Sequence, residues 1–121
     1  ISVEAEAGSR SGAAVVASCA ACSGGQKVGF IGNGSANYVT LTVNAPSSGS
    51  YTLTLYYLLS GTRSLYVSVN GGAGMPLNLS GSSWSTPVST TLTVSLNAGS
   101  NTIRFYNDGA YAPDLDRIVI Q

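Results

Sequence analysis

Tyr38-Val-Thr-Leu-Thr-Val-Asn-Ala-Pro-Ser-Ser-Gly-Ser-Tyr-Thr-Leu-Thr-Leu-Tyr-Tyr57 decides the fold. Apolar and polar residues alternate in both halves, first at Val39, Leu41 and Val43, then at Tyr51, Leu53, Leu55 and Tyr57. In an extended chain successive side chains point to opposite faces, so each half reads as a strand with one buried face. Between them, Asn44-Ala-Pro-Ser-Ser-Gly49 supplies the residue types that tight connections use. Working outward, the same period of two recurs at Leu65, Val67 and Val69, at Leu92, Val94 and Leu96, and at Ile103 with Phe105. Shorter strands are expected over residues 2–6, 27–31, 75–79 and 117–120, with turns at Asn70-Gly-Gly-Ala-Gly and Asn97-Ala-Gly-Ser. Residues 80–87, polar and carrying the only Trp, read as a loop. Helical periodicity is nearly absent, and many short strands with regular turns predict an all-β sandwich or barrel.

At 121 residues the chain has the size of one domain, spanning 1–121, with enough length to bury a core. Only 8% of residues are charged, so the surface is polar through hydroxyls and amides, as suits an extracellular β-protein. Five basic residues balance five acidic ones, which leaves no positive field for nucleic acid or an anionic membrane. No run approaches the length of a membrane helix and no leader pattern is present, so a mature segment is expected. Cys19 and Cys22 are the only cysteines. With no His and no second Cys pair a zinc shell cannot be completed, and no βαβ context supports redox chemistry. A short structural disulfide, and with it an oxidising compartment, is the expectation.

The absence of His leaves the many Ser residues without a base, which argues against nucleophilic catalysis. Ser23-Gly-Gly-Gln-Lys-Val-Gly has glycines and a lysine but leads into no helix, so it is no phosphate loop. Glu4 and Glu6, two apart on an expected strand, would project from one face about 7 Å apart. As a glycosidase pair they lack an opposite wall to flank a sugar. As ligands of calcium, with Asp116 as a third carboxylate, they fit a hard cation that takes oxygen donors. Two solvated glutamates are the plain alternative.

The stretch Asn107-Asp-Gly-Ala-Tyr-Ala-Pro-Asp-Leu-Asp116 holds three of the five acidic residues just before a final strand, where a rigid sandwich presents binding groups. Tyr111 there is surrounded by Asn107, Asp108 and Asp114, an aromatic face among polar acceptors of the kind sugars meet. An Asx-rich turn with no ligand explains the same pattern equally well. Trp84 reads as a core cap more readily than as a sugar platform.

Val3-Glu-Ala-Glu, Cys22-Ser-Gly-Gly-Gln-Lys-Val-Gly-Phe-Ile-Gly, Gly49-Ser-Tyr-Thr-Leu-Thr-Leu-Tyr-Tyr, Val69-Asn-Gly, Asn97-Ala-Gly-Ser-Asn-Thr-Ile and Ala112-Pro-Asp-Leu-Asp-Arg-Ile, in this order, resemble family 35 carbohydrate-binding modules, which are similar to family 6 modules. The resemblance covers the whole chain. It implies a jelly-roll sandwich of two antiparallel sheets, a structural calcium near the first and last strands, and a ligand site in loops. It also implies attachment to a secreted glycoside hydrolase, the module itself being non-catalytic. By matching positions, Glu4, Glu6 and Asp116 would hold calcium, with backbone carbonyls of residues 23–27 as additions. Tyr111 and Asp114 look like the Tyr-x-x-Asp that contacts galactose in galactan-binding members, with Arg63, Asn107, Asp108, Asn33 and Gly34 as further contacts.

The expected ligand is therefore a neutral galactose-containing glycan such as β-1,3-galactan. A uronate about 5 Å from Asp108 or Asp114 would meet roughly 1 to 3 kcal/mol of repulsion that Arg63 offsets only in part. Asp114→Ala and Tyr111→Ala are expected to lose binding while melting normally. A uronic-acid-binding module is the alternative. A small polysaccharide-cleaving enzyme, drawing acid and base from Glu4, Glu6, Asp108, Asp114 and Asp116, is the rival from another class.

Overall fold

In the computed structural model, which describes Ile1–Gln121, the alternating segments all form strands. They are β1 (Ser2–Glu4), β2 (Ser9–Ser11), β3 (Val15–Ser18), β4 (Gln26–Gly29), β5 (Tyr38–Ala45), β6 (Gly49–Val69), β7 (Met75–Leu96), β8 (Gly99–Tyr106) and β9 (Asp114–Ile120). Every pairing is antiparallel, and the hydrogen-bonded order is β2-β5-β8-β6-β9-β4-β3, with β1 on β9 and β7 along β6. This path makes two layers because β6 belongs to both. Its first half pairs with β9 from Leu53 to Leu58, and its last residues, Tyr66 to Val69, pair with β8. The corner between them pairs only with β7 and passes through Gly61 at φ 102, a conformation that costs a glycine nothing.

The inward face is the one the alternation marks. Val39, Leu41, Val43, Leu53, Leu55, Leu65, Val67, Ile103, Phe105, Ile118 and Ile120 are all buried in one core. At about 1.5 to 3 kcal/mol per fully buried large apolar side chain, that core is the main source of stability. The sandwich of antiparallel sheets expected from the sequence is thus observed, and Tyr57 and Phe105 are in its core with Tyr51 packed at its edge.

Two expectations need correction. The first strand ends at Glu4, and Ala5–Ala7 turns as a 3-10 helix, so Glu4 and Glu6 do not share a strand face. The segment 80–87 is not a free loop. Ser80 to Ser83 stay paired with Leu59 to Thr62, because a long partner strand satisfies their backbone groups whatever their side-chain propensity. Residues 84–87 then oppose Leu58 alone, so the strand bulges outward there and carries Trp84 with it. A second bulge falls on β9. Tyr56 pairs with Arg117 and Tyr57 with Leu115, which leaves Asp116 without a partner on β6.

Cys19 and Cys22 form the expected disulfide, with Cα atoms 5.3 Å apart. Together with Leu58 they make a small second cluster, so the bridged loop lids an apolar side chain that the main core does not reach.

Candidate functional site

Five large hydrophobic side chains are exposed, and three of them, Val15, Phe30 and Tyr111, line one cleft of about 440 Å³. Exposed apolar groups gathered on a surface built of hydroxyls indicate a contact site. The cleft's remaining chemistry comes from Lys27, Arg63, Trp84 and Asp114.

Backbone pairing of two loops presents the aromatic edge. Ala112 N–H donates to Ile31 O at 2.9 Å, Asn33 N–H donates to Ala110 O at 2.7 Å, and Gly32 bridges Tyr111. Gly32 must be glycine, since a Cβ there would lie 2.4 Å from Ala110 O. Phe30 is held at φ 56, a left-handed conformation that costs a non-glycine residue about 1 kcal/mol or more. That turn reverses the alternation, so Val28 and Ile31 are buried while Phe30 is 62% exposed. Its ring meets Tyr111 edge to face at 6.4 Å.

Cations organise the opposite wall. The Arg63 guanidinium lies 4.7 Å from the Trp84 ring centre and 5.8 Å from that of Tyr111, and donates to Ala112 O at 3.1 Å. Lys27 Nζ donates to Asp114 Oδ2 at 2.9 Å and to Trp84 O at 2.7 Å, so one ammonium fixes both the carboxylate and the bulge that carries Trp84. Stacking faces beside a guanidinium and a carboxylate suit a polyhydroxylated ring with an apolar face.

Of the sequence candidates, Tyr111, Asp114 and Arg63 meet here. Asn107 is 5% exposed and its amide holds the loop, donating to Ser64 O and accepting from the Gly109 and Ala110 N–H groups. Asp108 lines a different cleft, and Asn33 and Gly34 shape the turn beside Ala110 without lining this one. The lining residues not anticipated include Val15, Lys27, Phe30 and Trp84, the last of which both packs on the core and faces the cleft. The repulsion expected for a uronate is not what this cleft presents. Asp108 lines a different cleft and Asp114 is neutralised by Lys27, so the cleft carries two cations against one anion.

Catalysis by paired carboxylates has no geometry to work with. Asp114 is the single acidic residue lining the cleft, and it is ion-paired.

The other three acidic residues converge elsewhere. Ser23 Oγ donates to Glu4 Oε1, Ser23 N–H donates to Asp116 Oδ2 at 3.2 Å, and a Cβ on Gly24 would lie 3.0 Å from Glu6 Oε2. The 3-10 turn therefore returns Glu6 to the place the strand reading gave it by another route, and the β9 bulge aims Asp116 there. Glu4 Oε2, Glu6 Oε1 and Asp116 Oδ1 are each buried without a hydrogen-bond partner. Burial, and after it the Glu4 charge, raises the pKa of Glu6 and of Asp116. Orphaned buried carboxylate oxygens are costly, and an oxygen-ligated cation would satisfy all three at once. The three carboxylates do not stand at the spacing of a metal cage, and what they share is the unpartnered buried oxygens.

The family model described as carbohydrate binding module (family 35) matches residues 1–121. Among solved structures, a family 35 carbohydrate binding module from Clostridium thermocellum is 40% identical, with TM-score 0.95, over 99% of this chain and 97% of that one. A CBM35 from Paenibacillus barcinonensis is 29% identical, with TM-score 0.87, over 100% and 98%. An exo-β-1,3-galactanase from Phanerochaete chrysosporium, solved with β-1,3-galactotriose, is 34% identical with TM-score 0.93, over 100% of this chain and 29% of that one. No curated protein matches.

Proposed function

The chain belongs to carbohydrate-binding module family 35, non-catalytic domains that bind carbohydrate, and from that premise we propose that its cleft takes a galactose-containing glycan such as β-1,3-galactan. The observation that carries this reading is the convergence of Phe30, Trp84 and Tyr111 with Arg63 and Asp114 in one cleft. An aromatic face stacks on the sugar's C–H face, while Asp114 accepts from its hydroxyls and Arg63 donates to its oxygens. Likeness to a segment of a β-1,3-galactanase supports galactan as the polymer. In this reading the module is secreted and tethered to a glycoside hydrolase, raising the local concentration of enzyme on its polysaccharide. A shallow site puts affinity at about 4 to 8 kcal/mol, or micromolar to millimolar.

Glu4, Glu6 and Asp116 are proposed to hold a calcium ion, whose role is to neutralise three converging carboxylates and fix the Ser23–Gly25 turn over them. A uronic-acid ligand is the second reading, favoured by the excess of Lys27 and Arg63 over Asp114 in the cleft. Calorimetry with β-1,3-galactotriose, galacturonic acid and glucuronic acid separates the two. Tighter binding of galactotriose, lost in Tyr111→Ala, supports galactan. Tighter binding of either uronate replaces it with the second reading.

A further inference from the structure

Asn-Gly occurs twice, at Asn33-Gly34 and Asn70-Gly71, and in both places the asparagine is exposed and at positive φ, 54 and 52. The two steps differ in what holds the side chain. Asn70 Nδ2 donates to Asn101 Oδ1 at 2.9 Å, its Oδ1 accepts from Thr102 N–H at 2.9 Å, and its own N–H donates to Thr102 O at 2.8 Å. Asn33 has no such clamp. Its turn is held by Asn37 instead, whose Oδ1 accepts from Ala13 N–H and whose Nδ2 donates to Gly32 O. The Gly34 N–H likewise donates to no backbone carbonyl.

This leaves Asn33 chemically open. A backbone nitrogen that follows asparagine attacks the side-chain carbonyl when neither group is restrained, and glycine, without a side chain, hinders the approach least. Here Gly34 N bonds to Asn33 Cγ and closes a cyclic imide, while Nδ2 leaves as ammonia with the proton that Gly34 N gives up. Water then breaks one of the two imide C–N bonds, so the chain continues as aspartate or, through Cγ, as isoaspartate. The sum is an amide and water giving a carboxylate and ammonium, with no oxidant and no enzyme. We propose that Asn33-Gly34 is a site of spontaneous deamidation whose isoaspartate product loosens the loop that presents Tyr111.

The product reaches the cleft through the backbone. Isoaspartate adds one C–C bond, about 1.5 Å, to the chain between residues 33 and 34. Gly32 N–H donates to Asn37 O at 2.8 Å and Asn37 N–H donates to Gly34 O at 3.2 Å, so residues 32–37 close on themselves. Hydrogen-bond lengths vary over only about 0.5 Å, so the turn cannot absorb the extra bond in place. The contacts next in line are Asn33 N–H to Ala110 O at 2.7 Å and the bridge from Gly32 to Tyr111. The effect on binding rests on the reading of that cleft as the sugar site; the modification itself does not.

The test ages the intact protein in mildly alkaline buffer and follows its tryptic peptides by mass. Trypsin cuts after Lys27, Arg63 and Arg104, so the two steps fall on separate peptides, 28–63 and 64–104. A gain of about 1 Da should appear at Asn33 at least about tenfold faster than at Asn70, whose two side-chain hydrogen bonds must break first. In urea, which removes the clamp, the two rates should agree within about threefold. The isoaspartate form, separated by ion exchange, should bind β-1,3-galactotriose at least about threefold more weakly than native protein. Fresh Asn33→Asp, which adds an exposed charge without the extra bond, should stay within about twofold of native. Equal rates at Asn33 and Asn70 in the folded protein overturn the proposal, as does an isoaspartate form that binds like native protein. If fresh native protein binds no sugar, the reading of the cleft falls, and the ratio of the two rates alone decides the deamidation.

Discussion

Replacing Lys27 by Met would test how the cleft is held together. The ammonium group bridges Asp114 and the Trp84 carbonyl, and the side chains of the ion pair are only 14% and 16% exposed. An exposed pair is worth about 0 to 1 kcal/mol, whereas removing one partner of a buried pair costs about 3 to 5 kcal/mol. The partial exposure places this bridge between those limits, so Lys27→Met should cost about 2 to 3 kcal/mol. For a domain of this size that lowers Tm by roughly 6 to 15 °C. Methionine keeps the stem's packing, so the loss reports the charge. Asp114→Asn alone should cost less, and the double variant should recover part of the deficit, giving a coupling energy of about 1 to 2 kcal/mol in a double-mutant cycle. It follows that Asp114→Ala will not melt like the native protein, contrary to the expectation for a free loop carboxylate, whereas Tyr111→Ala will. Urea denaturation of the four proteins at constant calcium is the assay. A Lys27→Met stability within 0.5 kcal/mol of native, or strict additivity, would refute the bridge as the organising contact.

Calcium at about 100 times its dissociation constant should stabilise the domain by about 2.7 kcal/mol, and chelator should reverse this; identical melting with and without chelator removes the metal assignment. Without metal, Glu6 and Asp116 have raised pKa values when folded, so the folded state holds protons more tightly than the unfolded one. Chelated protein should therefore gain stability as pH falls from 7 through those raised values, while calcium-loaded protein should lose it as protons compete for the ligands; parallel melting curves in the two states count against the cluster. Reducing the Cys19–Cys22 bridge, which closes a very short loop, should cost about 2 kcal/mol or less, and a larger loss would mean that the lid over Leu58 matters more than chain entropy.

Alternation made the sandwich legible because it is a one-dimensional record of which face meets the core, and Val39, Leu41 and Val43 are buried as it requires. It fails where the backbone steps off that period. Phe30 shares the parity of buried Val28, yet a positive φ turns it out to solvent. Trp84 reads as a core cap within a loop, yet a four-residue bulge against Leu58 makes it a wall of the cleft. Lys27 drew attention for its carbonyl, while its side chain ties the site together across 87 residues to Asp114, a contact no local pattern records. The strand geometry that pairs Glu4 with Glu6 does not hold, but β1 does lie beside β9, and a 3-10 turn and a bulge complete the approach of Glu4, Glu6 and Asp116.

Trp84 is the only tryptophan, and it lines the proposed cleft, so its fluorescence reports ligand arrival there directly. Titrating the calcium-loaded protein with β-1,3-galactotriose should give a saturable change in Trp84 emission, with a dissociation constant in the micromolar to millimolar range, and Tyr111→Ala should abolish it without lowering Tm. An unchanged emission spectrum while calorimetry records binding of the same sugar would place the ligand elsewhere and contradict the account.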